Sequence, residues 1–397
     1  MNCKRDFSLQ KTMIFTMLAC ALGITSVQAA EIKVGMSTAL SGPAQALGQG
    51  MKMGVEAYFN QVNQSGINGN TLKLVALDDG YEPARAAPNM RKLIDEENVL
   101  AVMGNVGTPT AIVSVPIANE KKTLLFGAFT GAGVLRQTPP DRYIINYRAS
   151  YAEETAAMID GLLNSGIKPE EIAFFTQNDG YGDAGYKGAM KALKGKGVAN
   201  PGKLAHGRYT RNTRNTRNTL NVEDGLGTIL DAEVEPKAVI MVGAYGPCAK
   251  FIKMAKEDLP DTKFLNVSFV GSTALAKALG DKGEGVIVTQ VVPHFEVDHA
   301  TVKEYQEALK SYDATAEPGF VSLEGYLVAK LFVEGLKKAG ASPNRESLID
   351  ALESLSSPDV DIGTKVGFSK TEHQASHKLW PTMLKQGKFV AFNWSEI

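Results

Sequence analysis

Short apolar runs alternate with segments of helical periodicity along most of the chain. The runs predict strands at 32–36, 72–77, 100–103 and 123–126, and the intervening segments predict helices at 48–63, 83–97 and 109–120. A second series begins after residue 148, with strands at 172–176, 238–242, 264–267 and 286–291 and helices at 152–163, 184–193 and 247–257. Such alternation is typical of βαβ units and predicts two parallel sheets flanked by helices.

The last hundred residues depart from this alternation. Helical patterns at 302–311 and 323–338 are followed by short strands at 379–384 and 388–392. Because these elements do not extend the second series, we expect the chain to cross back between two lobes.

The N-terminus has the three parts of a secretory leader. A basic start precedes an apolar stretch at 13–24, which is too short to span a bilayer as a helix. Val27 and Ala29 then occupy the −3 and −1 positions of a cleavage site. The pattern predicts a cleaved signal peptide over residues 1–29 and a periplasmic protein. A lipoprotein anchored at Cys20 is not expected, because the leucine before it stands one position from its place in a lipobox.

Composition and charge are those of an ordinary globular protein. Apolar residues make up 44% of the chain and charged residues 21%. Without the leader, 39 basic and 42 acidic residues remain, so nothing indicates a nucleic-acid partner. Cys248 is the one cysteine after the leader, which excludes an intramolecular disulfide in the mature chain. The mature length exceeds what one core usually supports, so we expect two lobes.

Catalytic motifs are scarce. The chain has neither a Gly-x-Ser-x-Gly nucleophile elbow nor a phosphate-binding loop ending in Gly-Lys-Ser/Thr. His373 and His377 have the spacing of metal ligands on a helix, but the glutamate of a His-Glu-x-x-His site is missing. Asp78 and Asp79 end a strand-like run, where such a pair more often caps a turn than acts as acid and base. We expect no enzyme, metal or cofactor.

The turn at 104–110 lies between a buried-strand pattern and a helical one. Thr108 followed by Pro109 predicts an N-cap and a first helical residue. In a parallel sheet this turn lies at the carboxyl ends of the strands, where free amides and the helix dipole favour a ligand carboxylate. The alternative is a well-made helix start with no ligand.

A tandem Arg-Asn-Thr repeat fills residues 211–219. It could form a basic contact patch, but three charges are too few for strong steering of a polyanion. We expect a solvated, mobile loop.

Six short motifs occur in a fixed order along the mature chain: Ser41-Gly42-Pro43, Gly66-Ile67-Asn68-Gly69, residues 78–83, residues 104–110, Asn178-Asp179-Gly180-Tyr181-Gly182 and Ala375-Ser376-His377. Their order and spacing resemble those of the type I periplasmic solute-binding proteins of branched-chain amino acid ABC transporters, the leucine/isoleucine/valine-binding proteins. The resemblance covers nearly the whole mature chain.

The resemblance implies an α/β fold with two Rossmann-like lobes, three crossover strands and a ligand cleft between the lobes. We place the crossings near residues 147, 292 and 372. Lobe 1 is then residues 30–147 plus 293–372, and lobe 2 is residues 148–292 plus 373–397.

The resemblance also implies ligand-binding residues in lobe 1. Thr108, or Gly107 if the alignment shifts by one residue, takes the hydroxyl-donor position. Ala128 and Thr130 take the strand-end positions that meet the carboxylate and ammonium groups of the ligand.

Four further positions concern the cleft: two match the family pattern and two depart from it. Tyr181 and Tyr245 take the positions of lobe 2 walls, and Leu47 stands where the family has an aromatic wall. Ser268 stands where the family has an acid against the ligand ammonium. Because an unpaired buried ammonium is costly, either another acid such as Glu324 takes this role or the ligand is not an ordinary α-amino acid.

The implied function is a monomeric binding protein. It captures a small amino acid or related polar compound by hinge closure and delivers it to a membrane ABC permease. One alternative is a sensor whose closed form is read by the ectodomain of a receptor kinase or cyclase. Another is a cleft enzyme with Asp79 or a histidine as base.

Overall fold

The structure is a computed structural model that describes residues 30–211 and 221–397. The predicted leader with its cleavage position and Cys20 lies outside the described residues. So does the Arg-Asn-Thr repeat, apart from Arg211.

The first sheet has five parallel strands in the order β2-β1-β3-β4-β5. All three residues of β3 are buried, as expected for a parallel sheet that is covered on both faces. The strands are β1 (Ala30–Thr38), β2 (Asn70–Asp78), β3 (Ala101–Met103), β4 (Leu125–Phe126) and β5 (Ile144–Ile145).

The second sheet repeats this order and adds a hairpin. Its parallel part runs β7-β6-β8-β9-β10, and β11 and β12 continue it antiparallel. Gln386 and Gly387 both have positive φ and form the two-residue turn of that hairpin. The strands are β6 (Ile172–Gln177), β7 (His206–Tyr209), β8 (Ala238–Val242), β9 (Lys263–Val267), β10 (Ile287–Gln290), β11 (Trp380–Lys385) and β12 (Lys388–Ala391).

Eleven α-helices connect and cover the sheets in the described part of the chain. They are α1 (Gln45–Asn63), α2 (Pro83–Arg91), α3 (Thr108–Glu120), α4 (Tyr151–Asn164), α5 (Gly180–Gly195), α6 (Glu223–Leu230), α7 (Tyr245–Asp258), α8 (Ser272–Leu279), α9 (Ala300–Tyr312), α10 (Phe320–Ala339) and α11 (Arg345–Glu353). None of these described helices is long and apolar enough to cross a membrane.

The chain crosses back to the first sheet through α10, which packs against α1. Glycines allow the two backbones to approach: a Cβ on Gly54 would lie 2.0 Å from the Ser322 carbonyl oxygen, and one on Gly325 would lie 2.4 Å from the Met51 carbonyl oxygen. The predicted return of the chain is therefore confirmed, and the fold is the two-lobed α/β architecture that the sequence predicts.

Two connecting segments run side by side between the sheets. The Asn146 amide donates to the His373 carbonyl (2.7 Å), and the Ala375 amide donates to the Asn146 carbonyl (2.9 Å). This pairing lies beside two of the three predicted crossings. The lobe limits at 147, 292 and 372 remain predictions.

Candidate ligand-binding site

The two sheets share a strand order that creates equivalent switch points. Connections leave in opposite directions beyond the ends of β1 and β3 in one sheet and of β6 and β8 in the other, and open α/β sheets bind ligands at such points. The loops meet across the cleft, where Gln177 Nε2 donates to the Tyr81 hydroxyl (3.3 Å). The candidate site therefore lies between these strand ends.

Two predicted site residues meet directly. The hydroxyl oxygens of Thr108, at the start of α3, and Thr130, after β4, lie 2.7 Å apart, and both side chains are buried. The loops that carry them are joined by the Phe129 amide, which donates to the Asn105 carbonyl (2.8 Å). Ala128, the neighbour of Phe129, is also buried.

The start of α3 differs from the prediction by one residue. Gly107 is the N-cap, Thr108 is the first helical residue, and no side chain caps the helix. The predicted capping role of Thr108 was wrong, because its hydroxyl bonds to Thr130 instead. Gly107 has φ +106, and a Cβ there would lie 2.0 Å from Cε2 of Tyr81. A glycine is therefore required at this position.

Arg148 and Glu324 form a buried ion pair beside the threonines' loops. Nε of Arg148 donates to Oε1 of Glu324 (2.8 Å) and Nη2 donates to Oε2 (2.7 Å). The guanidinium carbon lies 4.0 Å from the centre of the Phe129 ring. Nη1 is buried and has no hydrogen-bond partner. Glu324 was proposed as an acid for a ligand ammonium, and both of its oxygens accept from Arg148.

Ser268 directs its polar atoms to another acid. Its amide donates to Oε2 of Glu154 (2.7 Å) and its hydroxyl donates to Oε1 (2.9 Å), while the Thr289 hydroxyl also donates to Oε2 (2.6 Å). Burial raises the pKa of Glu154 to about 7, against the lowering effect of Arg148 and these hydrogen bonds. Ser268 therefore holds a buried carboxyl supplied by α4.

Aromatic rings from both sides meet in the cleft. The Phe269 ring lies 4.5 Å from Tyr181, 5.4 Å from Phe129 and 6.0 Å from Tyr81, measured between ring centres. Tyr151 lies 5.3 Å from Tyr181. The Tyr181 hydroxyl donates to the Gly243 carbonyl (3.2 Å), whereas the buried Tyr151 hydroxyl has no partner of normal hydrogen-bond geometry.

Leu47 and Tyr245 lie at a different part of the cleft. Leu47 is fully buried, and its Cδ2 would lie 2.5 Å from a Cβ on Gly271 of the other lobe, with Cδ1 of Tyr245 at 3.7 Å from the same point. Both residues thus pack beside the loop that follows β9, and their roles as walls of the ligand cleft remain predictions.

Two cavities border the aromatic cluster. One of about 10 Å³ is lined by residues that include Phe129, Arg148, Ser268, Gln290, Phe320 and Glu324. The other, of about 50 Å³, is lined by residues that include Tyr81, Gln177 and Arg211. Ser268 and Glu324 thus share the inner cavity with Arg148.

The acidic pair at the end of β2 holds the local backbone. Asp78 Oδ1 accepts from the Leu40 and Gly80 amides, and Asp79 Oδ1 accepts from the Tyr81 amide. The Ser37 hydroxyl donates to Asp79 Oδ2. Burial raises the pKa of Asp79 to about 6. These contacts favour the turn-capping interpretation of the pair.

The two histidines have separate partners. His373 is buried, with Nδ1 2.8 Å from the Ile144 carbonyl and Nε2 3.2 Å from Glu353 Oε1. His377 is exposed, with Nδ1 2.6 Å from Glu153 Oε1. Within residues 30–211 and 221–397, no group of three or more His, Cys, Asp or Glu side chains could hold a metal ion.

A Gly-x-Gly-x-x-Gly spacing at residues 180–185 follows β6 and begins α5. Its glycines serve helix packing: a Cβ on Gly182 would lie 1.9 Å from the Gln177 carbonyl oxygen, and one on Gly185 would lie 2.5 Å from the Val242 side chain. The ring of Tyr181 fills the cleft at this helix start. The spacing therefore has a packing reason here.

Four cleft residues were not predicted: Arg148, Tyr151, Glu154 and Phe269. One signal was available, because Arg148 is a charged residue that ends an apolar run beside a predicted crossing. The contacts of the other three span more than a hundred positions or depend on ring packing, which leaves no local pattern in a single sequence.

Comparison with known proteins shows the family. The model of the family described as periplasmic binding protein matches residues 31–388, so this chain belongs to the periplasmic binding proteins. A Leu/Ile/Val-binding protein homolog from Brucella suis is 26% identical over 91% of this chain and 90% of its own length. A leucine-, isoleucine-, valine-, threonine- and alanine-binding protein from Pseudomonas aeruginosa is 23% identical, covering 85% of this chain and 87% of its own. The predicted resemblance is confirmed.

Solved structures agree with this family. A possible leucine/isoleucine/valine-binding protein from Rhodopirellula baltica superposes with a TM-score of 0.89 and 49% identity over 94% of this chain and 99% of its own. A branched-chain amino acid ABC transporter protein from Thermus thermophilus with bound valine has a TM-score of 0.80 at 20% identity over 92% of this chain and 96% of its own, a likeness of fold.

Proposed function

We propose that this protein captures a small amino acid or a related polar carboxylate outside the cytoplasm and delivers it to an ABC permease. The observation that carries the proposal is Arg148 Nη1, a buried donor without a partner at the cleft, together with the buried Tyr151 hydroxyl, which has donors from Thr130 and Gly131 beside it but no acceptor of normal hydrogen-bond geometry. A buried N–H or O–H group without an acceptor costs free energy. A ligand carboxylate supplies that acceptor.

Both sides of the cleft contribute groups to the same region. Thr108 and Thr130 come from the loops of the first sheet, whereas Tyr181 and Phe269 follow strands of the second. A ligand that contacts both sides stabilises the closed arrangement by its differential affinity, and closure then presents a surface to the permease. The relatives are named as leucine-, isoleucine- and valine-binding proteins or their homologues. These names favour an amino acid, or a compound of similar size, as the ligand.

The test combines thermal unfolding with solution scattering. A panel of amino acids, small amides and small carboxylates is expected to include a compound that raises the melting temperature and lowers the radius of gyration. Melting shifts produced solely by sugars or nucleotides would contradict the ligand assignment. Ligand-dependent stimulation of ATP hydrolysis by a reconstituted permease tests delivery, and a response solely from a receptor kinase or cyclase would support the sensor alternative.

A further inference from the structure

The inner part of the cleft is rich in hydrogen-bond donors. Arg148 Nη1 is buried and has no hydrogen-bond partner, and the buried Tyr151 hydroxyl has donors from Thr130 and Gly131 beside it but no acceptor of normal hydrogen-bond geometry. The first turn of α3, which begins at Thr108, adds the positive end of a helix dipole. Thr108 and Thr130 add a hydroxyl pair that shares one hydrogen bond. Each of these groups favours an anionic partner.

The carboxylates that lie against these residues are already engaged. Each oxygen of Glu324 accepts a charge-assisted bond from Arg148, so an ammonium brought to Glu324 also approaches the like charge of the guanidinium. Asp179, near the outer edge, accepts from the Tyr181 amide through Oδ1 and from Gln177 Nε2 through Oδ2.

Glu154 is a poor partner for an ammonium as well. Its two oxygens accept three hydrogen bonds, from the Ser268 amide, the Ser268 hydroxyl and the Thr289 hydroxyl. Burial raises its pKa to about 7, so it carries a partial negative charge near neutral pH. Glu154 therefore offers no free carboxylate oxygen to a ligand ammonium.

The surroundings of the donors are apolar. The Phe129 ring lies against the Arg148 guanidinium and contacts Phe269, and Tyr181 packs on Phe269 and Tyr151. Aromatic faces of this kind stabilise apolar groups through buried area and offer no acceptor to an ammonium beyond a cation–π contact, which Arg148 already makes with Phe129.

We propose that the ligand of this cleft is a monocarboxylate with an apolar body and no ammonium group, whose carboxylate accepts hydrogen bonds from Arg148 Nη1 and the Tyr151 hydroxyl. This inference rests on the proposed solute-binding function and narrows its ligand class. It excludes the zwitterion of a free α-amino acid as the preferred ligand.

Matched compounds separate the two charged groups. For an aliphatic body the set is 4-methylpentanoate, leucine and 3-methylbutylamine, and for an aromatic body it is 3-phenylpropanoate, phenylalanine and 2-phenylethylamine. Calorimetric titration of the full mature protein is expected to show that one of the two carboxylates binds at least about tenfold more tightly than its zwitterion, because an unpaired ammonium is costly to bury. The amines are expected not to bind.

The outcomes distinguish failure of the monocarboxylate inference from failure of the proposed solute-binding function. If leucine or phenylalanine binds as tightly as its carboxylate or more tightly, the inference is overturned while capture of a small solute stands. If none of the six compounds binds, the inference fails, and the proposed function fails with it only if the wider panel of amino acids, small amides and small carboxylates also gives no melting shift.

A variant tests the assigned contact. Tyr151→Phe keeps the ring and removes the hydroxyl, so we expect carboxylate affinity to fall by about tenfold. The melting temperature of the unliganded variant is expected to stay about the same, because the lost hydroxyl makes no hydrogen bond of normal geometry. Tyr312→Phe, whose hydroxyl donates to Glu56 on the surface, is the matched control and should change neither quantity. Unchanged affinity in Tyr151→Phe would overturn the proposal.

Discussion

Arg148 and Glu324 form a two-point ion pair that is almost completely buried, with 1% and 2% of their side chains exposed. Arg148 lies between β5 and α4, and Glu324 lies on α10, so the pair joins segments 176 positions apart in sequence. Glu324 holds two nitrogens of the guanidinium and leaves the third free. The pair therefore fixes the direction in which Arg148 presents its remaining N–H groups.

Removal of one partner of this pair should be costly. Glu324→Gln leaves the Arg148 charge buried without its counter-ion, and we expect the free energy of unfolding to fall by about 3–5 kcal/mol. Urea unfolding of both proteins measures the change. Glu346→Gln is the control, because Glu346 pairs with Arg142 at half-exposed positions, where less than about 1 kcal/mol is expected. Equal effects of the two substitutions would contradict the assigned burial.

Thr130 offers a direct test of the hydroxyl pair. Thr130→Ala removes the partner of Thr108 and a group predicted to meet the ligand, so binding should weaken by about 1–3 kcal/mol. Calorimetric titration with whichever compound binds measures the change. Thr228→Ala, at an exposed position of α6, serves as the control. An unchanged dissociation constant would remove Thr130 from the site.

The start of α3 gives a prediction about backbone geometry. Gly107→Ala forces a side chain into a positive-φ position and against the Tyr81 ring, so we expect a loss of stability of at least about 1–3 kcal/mol. Gly227→Ala is the control: its Cβ would meet nothing within 4 Å and lies in a helix, where alanine is favoured by about 1 kcal/mol. A neutral Gly107→Ala would contradict the described loop.

Glu154 predicts a pH dependence of stability. Its pKa is about 7 in the folded protein against 4.5 ordinarily, so the folded state binds more protons between these values. Stability from this group is therefore lost as pH rises from about 4.5 to about 7. In the Glu154→Gln variant residue 154 does not titrate. As pH rises through this window, the free energy of unfolding of the variant should therefore increase relative to that of the wild type. Urea midpoints over that range test this, and a difference that does not change with pH would contradict it.

Asp79 also has a raised pKa, of about 6, so its contribution to stability is likewise lost as pH rises. It is present in both proteins, so its contribution cancels in the comparison. The pKa of Asp78 is lowered to about 2, opposing its burial, through hydrogen bonds from Ser41 and Arg85 and from backbone amides. Its contribution is lost only as pH falls below its ordinary value, outside the window that Glu154 governs.

Long elements of the fold could be predicted from the sequence. Residues 238–242 were predicted as a strand and form β8 with those limits, because five consecutive apolar residues end at Gly243. In contrast, α6 and α8 were missed. Each has eight residues, and two turns are too short to show a helical period. The predicted start of α3 differs from the observed one by one residue, because Gly107 is the N-cap and no side chain caps the helix.

The residues of the candidate site could likewise be predicted only in part. The position of Thr108 follows from the topology of a parallel sheet, since loops at the carboxyl edge converge, whereas Thr130 was implied by the family resemblance. Arg148 and Glu324 could not be paired from one sequence, because no local sequence pattern indicates a contact between residues 176 positions apart. The resemblance singled out Ser268, but the carboxyl of Glu154 that it binds comes from another element and could not be predicted.

The most direct test of this account is a crystal structure of the protein with the tightest ligand from the matched set. We predict a carboxylate within hydrogen-bond distance of Arg148 Nη1 and the Tyr151 hydroxyl, with contacts from Thr108 or Thr130 on the opposite side. A ligand bound outside the cleft, or one whose carboxylate leaves Arg148 Nη1 unpaired, would contradict it.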